Sequence, residues 1–348
     1  MENTSMGSSR ILMSLAALVL VAAGLNAAKV ILVPVLLAGF IAIISAPPMF
    51  WLQRKGFPTW LALLIVILGV FLLGMVVATL IGTSVGDFTR NLPNYETRVR
   101  EQTGDAVILL QRMGIRVSSA ELIRFFDPGA AMKLIGMLLN ALGNMVTNGL
   151  LVLLTVIFML LEASSFPAKL RLILGGENSL EKFEYFLHNV QHYVAIKTII
   201  SLITGVLVAV LLIALRIDYP FLWGLLAFLL NYVPNIGSII AAIPAVLLAL
   251  IQFGLFKAVM VAIGFLTVNL LLGGLIEPRF MGRELGLSTL VVFLSLLLWG
   301  WLLGPVGMLL SVPLTMTAKI ALDSHEDTRW IGVLMGPEKP LSTKRTAE

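Results

Sequence analysis

Apolar residues fall along this chain in blocks of roughly 20, the number that carries an α-helix across the hydrocarbon core of a bilayer. Uninterrupted blocks lie near 11–28, 30–52, 57–85, 136–162, 196–215 and 255–276, which predicts about six continuous transmembrane helices. Two further apolar stretches, 221–254 and 287–320, are too long for one straight crossing and are interrupted near their middles. The first interruption reads NYVPNIGSIIAAIP, from Asn231 to Pro244. Proline inside a helix removes a backbone donor and clashes with the preceding turn, at a cost of about 3 kcal/mol, so something must offset its presence there.

The polar segments organise the rest. Residues 86–126 carry mixed charges and short amphipathic runs, with a capping-box pair at Ser118 and Glu121. Asp127 followed by Pro128 reads as a helix start. A helix from there to Leu161 is about 50 Å long at 1.5 Å per residue and stands out of the bilayer. Residues 86–135 are therefore predicted to form a small helical insertion outside the membrane. A second polar stretch, 162–191, with Lys169, Arg171, Glu177, Glu181, Lys182 and Glu184, predicts amphipathic helices at the other face. The expected division is 1–85 for the N-terminal transmembrane helices, 136–195 for one span plus cytoplasmic helices, 196–322 for a transport core, and 323–348 for a disordered cytoplasmic tail.

Composition narrows the class. With 59% hydrophobic and 12% charged residues and a mean hydropathy of +0.99, the chain lies outside the range of soluble domains and reads as an all-α polytopic membrane protein. The net charge of +5 sits in loops beside the apolar blocks, the positive-inside pattern rather than a nucleic-acid surface. Arg10, Arg54, Lys55 and the Lys169–Lys182 group mark one face as cytoplasmic, which places 86–126 outside despite its arginines. Block 11–28 resembles a signal peptide, but a second block follows at once, so the pair is read as a retained helical hairpin. Cysteine is absent, which excludes disulfides and thiolate metal sites.

The two interrupted stretches share a pattern. An apolar helix leads to a proline, then a glycine, a second apolar run and a closing proline: Pro234, Gly237 and Pro244, then Pro305, Gly307 and Pro313. Each follows a continuous block and a polar linker, RIDYP or EPRFMGREL, at an offset close to 70 residues. Residues 196–254 and 255–320 are predicted to be two copies of a spanning helix plus a re-entrant hairpin, entering from opposite sides as an inverted repeat. Such paired, interrupted segments point to a transporter's binding site, since unwound backbone at membrane depth must be buried in protein or line a wet cavity. Helix kinks or ordinary loops are the competing reading. The expected substrate site is Asn231, Pro234, Asn235, Gly237, Gly304, Pro305 and Gly307.

Ionisable residues at the edges of apolar blocks are functional candidates by default. Glu277, with Arg279 or Arg283 as expected partner, and Glu162, with Lys169 or Lys197, are the candidates for coupling or gating; interfacial topology anchors are the alternative. Arg216 and Asp218 are expected to cap their helix, and Asn231, Asn235 and Asn269 to offer amides at depth or to bind helices together. Gly300 and Gly304 form a close-packing pattern. His188 and His192, four apart, could face one metal, but no carboxylate or thiolate motif accompanies them. No phosphate loop, nucleophile elbow, zinc motif or catalytic carboxylate pair is present, so no enzyme, cofactor or resident metal is expected, nor ATP-driven transport within the chain.

The segments WGLLAFLLNYVPNIGSIIAAIP and LIEPRFMGRELGLSTLVVFLSLLLWGWLLGPVGMLLSVPLT, with VILVPVLLAGFIAIISAPP and DPGAAMKLI, resemble the autoinducer-2 exporter family of bacterial inner-membrane proteins. The likeness extends over nearly the whole chain and is closest to the quorum-sensing branch. It implies secondary transport of autoinducer-2, a small polyhydroxylated furanone, by a homo-oligomer, a pentamer by family resemblance. Other members look like sodium/proton antiporters, so the fold does not fix the substrate. Exposed backbone and amides at Asn231, Asn235 and Gly237 suit hydroxyls; freed carbonyls beside Pro234 and Pro305 with Glu277 suit a cation or proton. A non-transporting membrane scaffold is the third expectation.

Overall fold

Long runs of Leu, Ile, Val and Phe can satisfy their backbone groups in a bilayer only as helices or closed barrels, and here they are helices. The computed structural model describes residues 13, 16–17, 19–112, 133, 135–137, 139–140, 143, 149–163, 169, 177–234, 236–277, 279, 286–323 and 326–336. In chain order the helices are α1 (Lys29–Arg54), α2 (Thr59–Arg112), α3 (Gly149–Ala163), α4 (Glu177–Leu215), α5 (Pro220–Leu230), α6 (Gly237–Phe253) and α7 (Leu255–Asn269). A π-helix, Leu270–Ile276, continues α7. Then come α8 (Thr289–Leu303), α9 (Pro305–Leu309), α10 (Ser311–Asp323) and α11 (Arg329–Leu334).

Among the described residues, four stretches are long and apolar enough to cross a membrane: Lys29–Arg54, Thr59–Tyr95, Val190–Leu215 and Leu255–Ile276. They answer four of the predicted blocks. Parts of blocks 11–28 and 136–162 lie outside the described residues, as do the helix starts near Ser118 and Asp127. Helix α2 does not stop at residue 85. It continues through Pro93 to Arg112, about 80 Å at 1.5 Å per residue, well beyond a bilayer core of about 30 Å. Glu, Arg and Gln are good helix formers, so the change to polar composition there marks where the helix leaves lipid and not where it ends. Likewise α4 begins at Glu177 and passes without a break into the span ending at Leu215.

The chain divides into two compact units: a larger one of Ile41–Ser165 and Val194–Phe280, and a smaller one of Met1–Phe40, Phe166–Tyr193 and Met281–Glu348. In the larger unit Trp223, Leu212, Leu222, Leu248 and Val261 are completely buried. Helices α4 and α5 meet at two glycines: a Cβ added at Gly205 or Gly224 would sit 2.7 Å from the other's carbonyl oxygen, the close approach that small residues permit. A Schellman turn ends α4, with Ile217 N–H donating to Leu212 O (2.9 Å) and Arg216 N–H to Ile213 O (3.0 Å). Arg216 and Tyr219 both adopt φ of 60°, a strained value for residues with a side chain. The loop is held from several sides. Tyr95 OH donates to Asp218 Oδ2 (2.8 Å), Trp223 Nε1 donates to Asp218 O (3.0 Å), and Asp218 N–H donates to Gln252 Oε1 (3.2 Å).

In the smaller unit, Ser288 caps α8 by accepting from Val291 N–H at 3.3 Å. Gly304, at φ 70° and ψ −150°, ends α8 in a conformation that a side chain would disfavour. Pro305 then opens α9, where its missing donor costs nothing. Beyond Asp323, within the predicted tail, α11 packs Gly332 against Asp323, and Met335 O accepts from Ser288 N–H at 2.9 Å.

Candidate functional site

One face of α4 in the larger unit is unusually polar for a membrane span. Lys197, Ser201 and Thr204 recur at helical spacing on its inward side, and each is at least nine-tenths buried. Residues three and four apart share a helix face, so the three form a line along it, with Thr198 beside them.

Each member of this line is met by a partner. Ser201 Oγ accepts from Asn231 Nδ2 at 3.0 Å. Thr198 Oγ1 accepts from Tyr232 OH at 2.7 Å and donates to Val194 O at 2.6 Å. Thr204 donates back to Ile200 O. Asn231 and Tyr232 open the unwound segment between α5 and α6, so the first proline-glycine break is bonded directly to α4. Gly237, which starts α6, is there because a Cβ would collide with Leu230 O. Pro234 lies in the turn, and Asn235 lies outside the described residues. Pro244 does not break its helix: α6 runs through it from Gly237 to Phe253.

Glu277 completes the line. Its Oε1 pairs with Lys197 Nζ at 2.5 Å, with the Lys197 side chain 4% exposed and that of Glu277 17%. The expected partners were Arg279 or Arg283. Arg279 is exposed and Arg283 lies outside the described residues, while Lys197, proposed for Glu162, takes Glu277 instead. The reason is tertiary: 80 residues separate the pair, and only the packing of the end of the π-helix against α4 brings them together. Glu162 is exposed at the end of α3. A lysine buried to this degree is strongly disfavoured unless paired.

The π-helix leads straight to this pair. Glu277 N–H donates to Leu272 O, five residues back, and Gly273 and Gly274 lie within the run LLLGGLI. Such i→i+5 segments recur at functional sites. Asn269, half-buried, stands just before it, its Oδ1 beside Gly273.

In the smaller unit, Gly304, Pro305 and Gly307 form the second break. A Cβ at Gly307 would collide with Trp299 O, the counterpart of the contact at Gly237. Gly300 lies against the side chain of Met308 across this turn. Trp299 Nε1 donates to Thr315 Oγ1 at 3.0 Å. Of the pair His188 and His192, His192 is exposed and the side chain of His188 lies outside the description.

The sequence profile described as AI-2E family transporter matches residues 15–327. The AI-2 transport protein TqsA of Escherichia coli strain K12 is 43% identical over 327 residues, covering 94% of this chain and 95% of TqsA. A protein of Haemophilus influenzae is 42% identical over 334 residues, 94% of this chain and 96% of its own. YhhT of Escherichia coli strain K12 is 37% identical over 333 residues, 95% of each chain.

Proposed function

The chain belongs to the AI-2E family of transporters, and from that premise we propose that it exports autoinducer-2, or a similar small polar molecule, across the bacterial inner membrane. The observation that carries this reading is the buried polar line on α4 tied to an unwound segment: Ser201 to Asn231 and Thr198 to Tyr232. Hydroxyl and amide groups that bond each other in the absence of substrate can exchange those bonds for the hydroxyls of a neutral polyol, at little net cost. The similarity to TqsA, whose name assigns it AI-2 transport, supports the same substrate class.

Lys197 and Glu277 supply the switch. The π-helix before Glu277 carries a backbone register that an α-helix does not, and its two glycines leave it free to rewind. Rewinding turns Glu277 away from Lys197, and the pair then opens and closes with the substrate site. A homo-oligomer, a pentamer by family resemblance, is the assembly we infer. The second reading is exchange of a monovalent cation for protons, favoured by the same pair, because a carboxylate balanced by a buried ammonium suits a cation or proton that displaces it.

Autoinducer-2 flux in proteoliposomes, with and without an imposed pH gradient, separates the two. Export predicts flux above empty liposomes, and its loss in Asn231→Ala while the variant still assembles. Flux that rises with the gradient identifies proton coupling, and gradient-independent flux a facilitator. Absence of autoinducer-2 flux with sodium/proton exchange present overturns the export reading in favour of the antiporter.

A further inference from the structure

Residues 55–58 join two membrane spans, α1 and the apolar part of α2, within the larger unit. A short turn between two spans stands at the boundary of the hydrocarbon core, where lipid headgroups lie. Backbone hydrogen bonds fix its shape. A Schellman turn ends α1, with Gly56 N–H donating to Gln53 O (3.0 Å) and Phe57 N–H to Leu52 O (3.2 Å). Gly56 takes φ 94°, which a side chain would disfavour. Pro58 O then accepts from Leu61 and Ala62 N–H at 2.9 and 3.0 Å, and α2 begins.

Two cations project from this turn, Arg54 and Lys55, both exposed. Among the described residues neither side chain makes a hydrogen bond or an ion pair. Lysines at other helix ends are satisfied: Lys257 donates to Leu215 O at 3.0 Å and Lys319 to Gly286 O at 2.6 Å. The sequence has no carboxylate between Glu2 and Asp87, so neither α1 nor the first turns of α2 can neutralise the pair. The dipole of α1 favours cations at its C-terminus, but it does not explain the aromatic rings around them. Trp51, Phe57 and Trp60 are all exposed, Trp60 to 67%, and Lys55 Nζ lies 5.2 Å from the Trp51 ring centroid, an attractive cation–π distance. From Trp60 an exposed apolar stripe runs inward through Leu64, Leu68 and Leu72, spaced to share one helix face. It is about 18 Å long at 1.5 Å per residue, close to one leaflet's half of a core about 30 Å thick.

We propose that this turn is a binding site for an anionic phospholipid of the leaflet it faces. Arg54 and Lys55 take the headgroup phosphate, Trp51 and Trp60 flank it at the interface, and an acyl chain lies along the α2 stripe. A zwitterionic headgroup brings its own cation beside the phosphate and gains less from two fixed positive charges. The site is independent of which substrate the protein exports.

The test uses the full-length, naturally cysteine-free protein carrying Thr59→Cys, labelled with a fluorophore, in phosphatidylcholine vesicles. Quenching is titrated with doxyl-labelled phosphatidylglycerol and, separately, doxyl-labelled phosphatidylcholine. Phosphatidylglycerol should half-quench at the lower mole fraction, and this preference should fall about fivefold for each cation removed. Lys55→Gln should therefore lose part of it, and Arg54→Gln with Lys55→Gln nearly all. Lys29→Gln with Arg216→Gln, which removes the same charge elsewhere, should leave it intact. An unchanged preference in Lys55→Gln, or an equal loss in the Lys29/Arg216 control, overturns the site, the latter outcome reducing it to general attraction between a basic protein and an anionic bilayer.

Discussion

The two broken hairpins use one backbone device and different side-chain chemistry. Each halts an apolar helix, and each places a glycine where a Cβ would strike the carbonyl of the arm before it, Leu230 for Gly237 and Trp299 for Gly307. At the first break the polar side chains are held by another helix, Asn231 by Ser201 and Tyr232 by Thr198. At the second, a tryptophan bonds a threonine within the hairpin, and Ser311 Oγ has no hydrogen-bond partner among the described residues. Proline and glycine spacing decides where the chain turns back. What the turn can bind depends on residues outside the proline-glycine pattern, above all the polar face of α4.

The largest effect expected from breaking this comparison is at the ion pair, which has no counterpart among the described residues of the second hairpin. Glu277→Ala leaves the Lys197 ammonium buried without its partner and should cost about 3–5 kcal/mol, read as a fall in the unfolding midpoint in detergent. Joining Lys197→Met to Glu277→Leu should recover most of that stability while transport stays impaired. Full stability in Glu277→Ala would show that the pair is not buried in the folded protein.

Next come the glycines, where the hairpins should behave alike. Gly237→Ala and Gly307→Ala each force a methyl onto a backbone carbonyl, and overpacking of this kind costs about 1–3 kcal/mol. Tolerance of one and not the other would break the likeness at its strongest point. Asn231→Ala should have the smallest effect on folding, about 1 kcal/mol for a lost hydrogen bond, and a much larger one on flux. Proportionate losses in both would make Asn231 a structural residue.

Much of the architecture was legible from the sequence because it follows from local rules. Block length gave the spans at Lys29–Arg54 and Leu255–Ile276 closely, and Pro234 and Pro305 marked real interruptions. The continuation of α2 to Arg112 was missed because hydropathy reports lipid contact, and a helix of Glu, Arg and Gln persists in water. The partner of Glu277 was missed because Arg279 and Arg283 are near in sequence, whereas Lys197 is near only after folding. Its position within an apolar block, immediately before Thr198 and four residues before Ser201 on a hydroxyl-bearing face, was the available signal. Nothing in LLLGGLI announced a π-helix, although two adjacent glycines before a membrane carboxylate hinted at an irregular backbone.

The claim that the buried face of α4 meets the substrate can be tested by chemical access, since the chain contains no cysteine. Ser201 is completely buried and its neighbour Leu202 is 56% exposed. In proteoliposomes, a small polar thiol reagent should modify Ser201→Cys and leave Leu202→Cys, on the lipid-facing side, unmodified, and autoinducer-2 should slow the reaction at position 201. A Ser201→Cys thiol that stays unreactive with and without substrate, or reacts at a rate autoinducer-2 does not change, would contradict it.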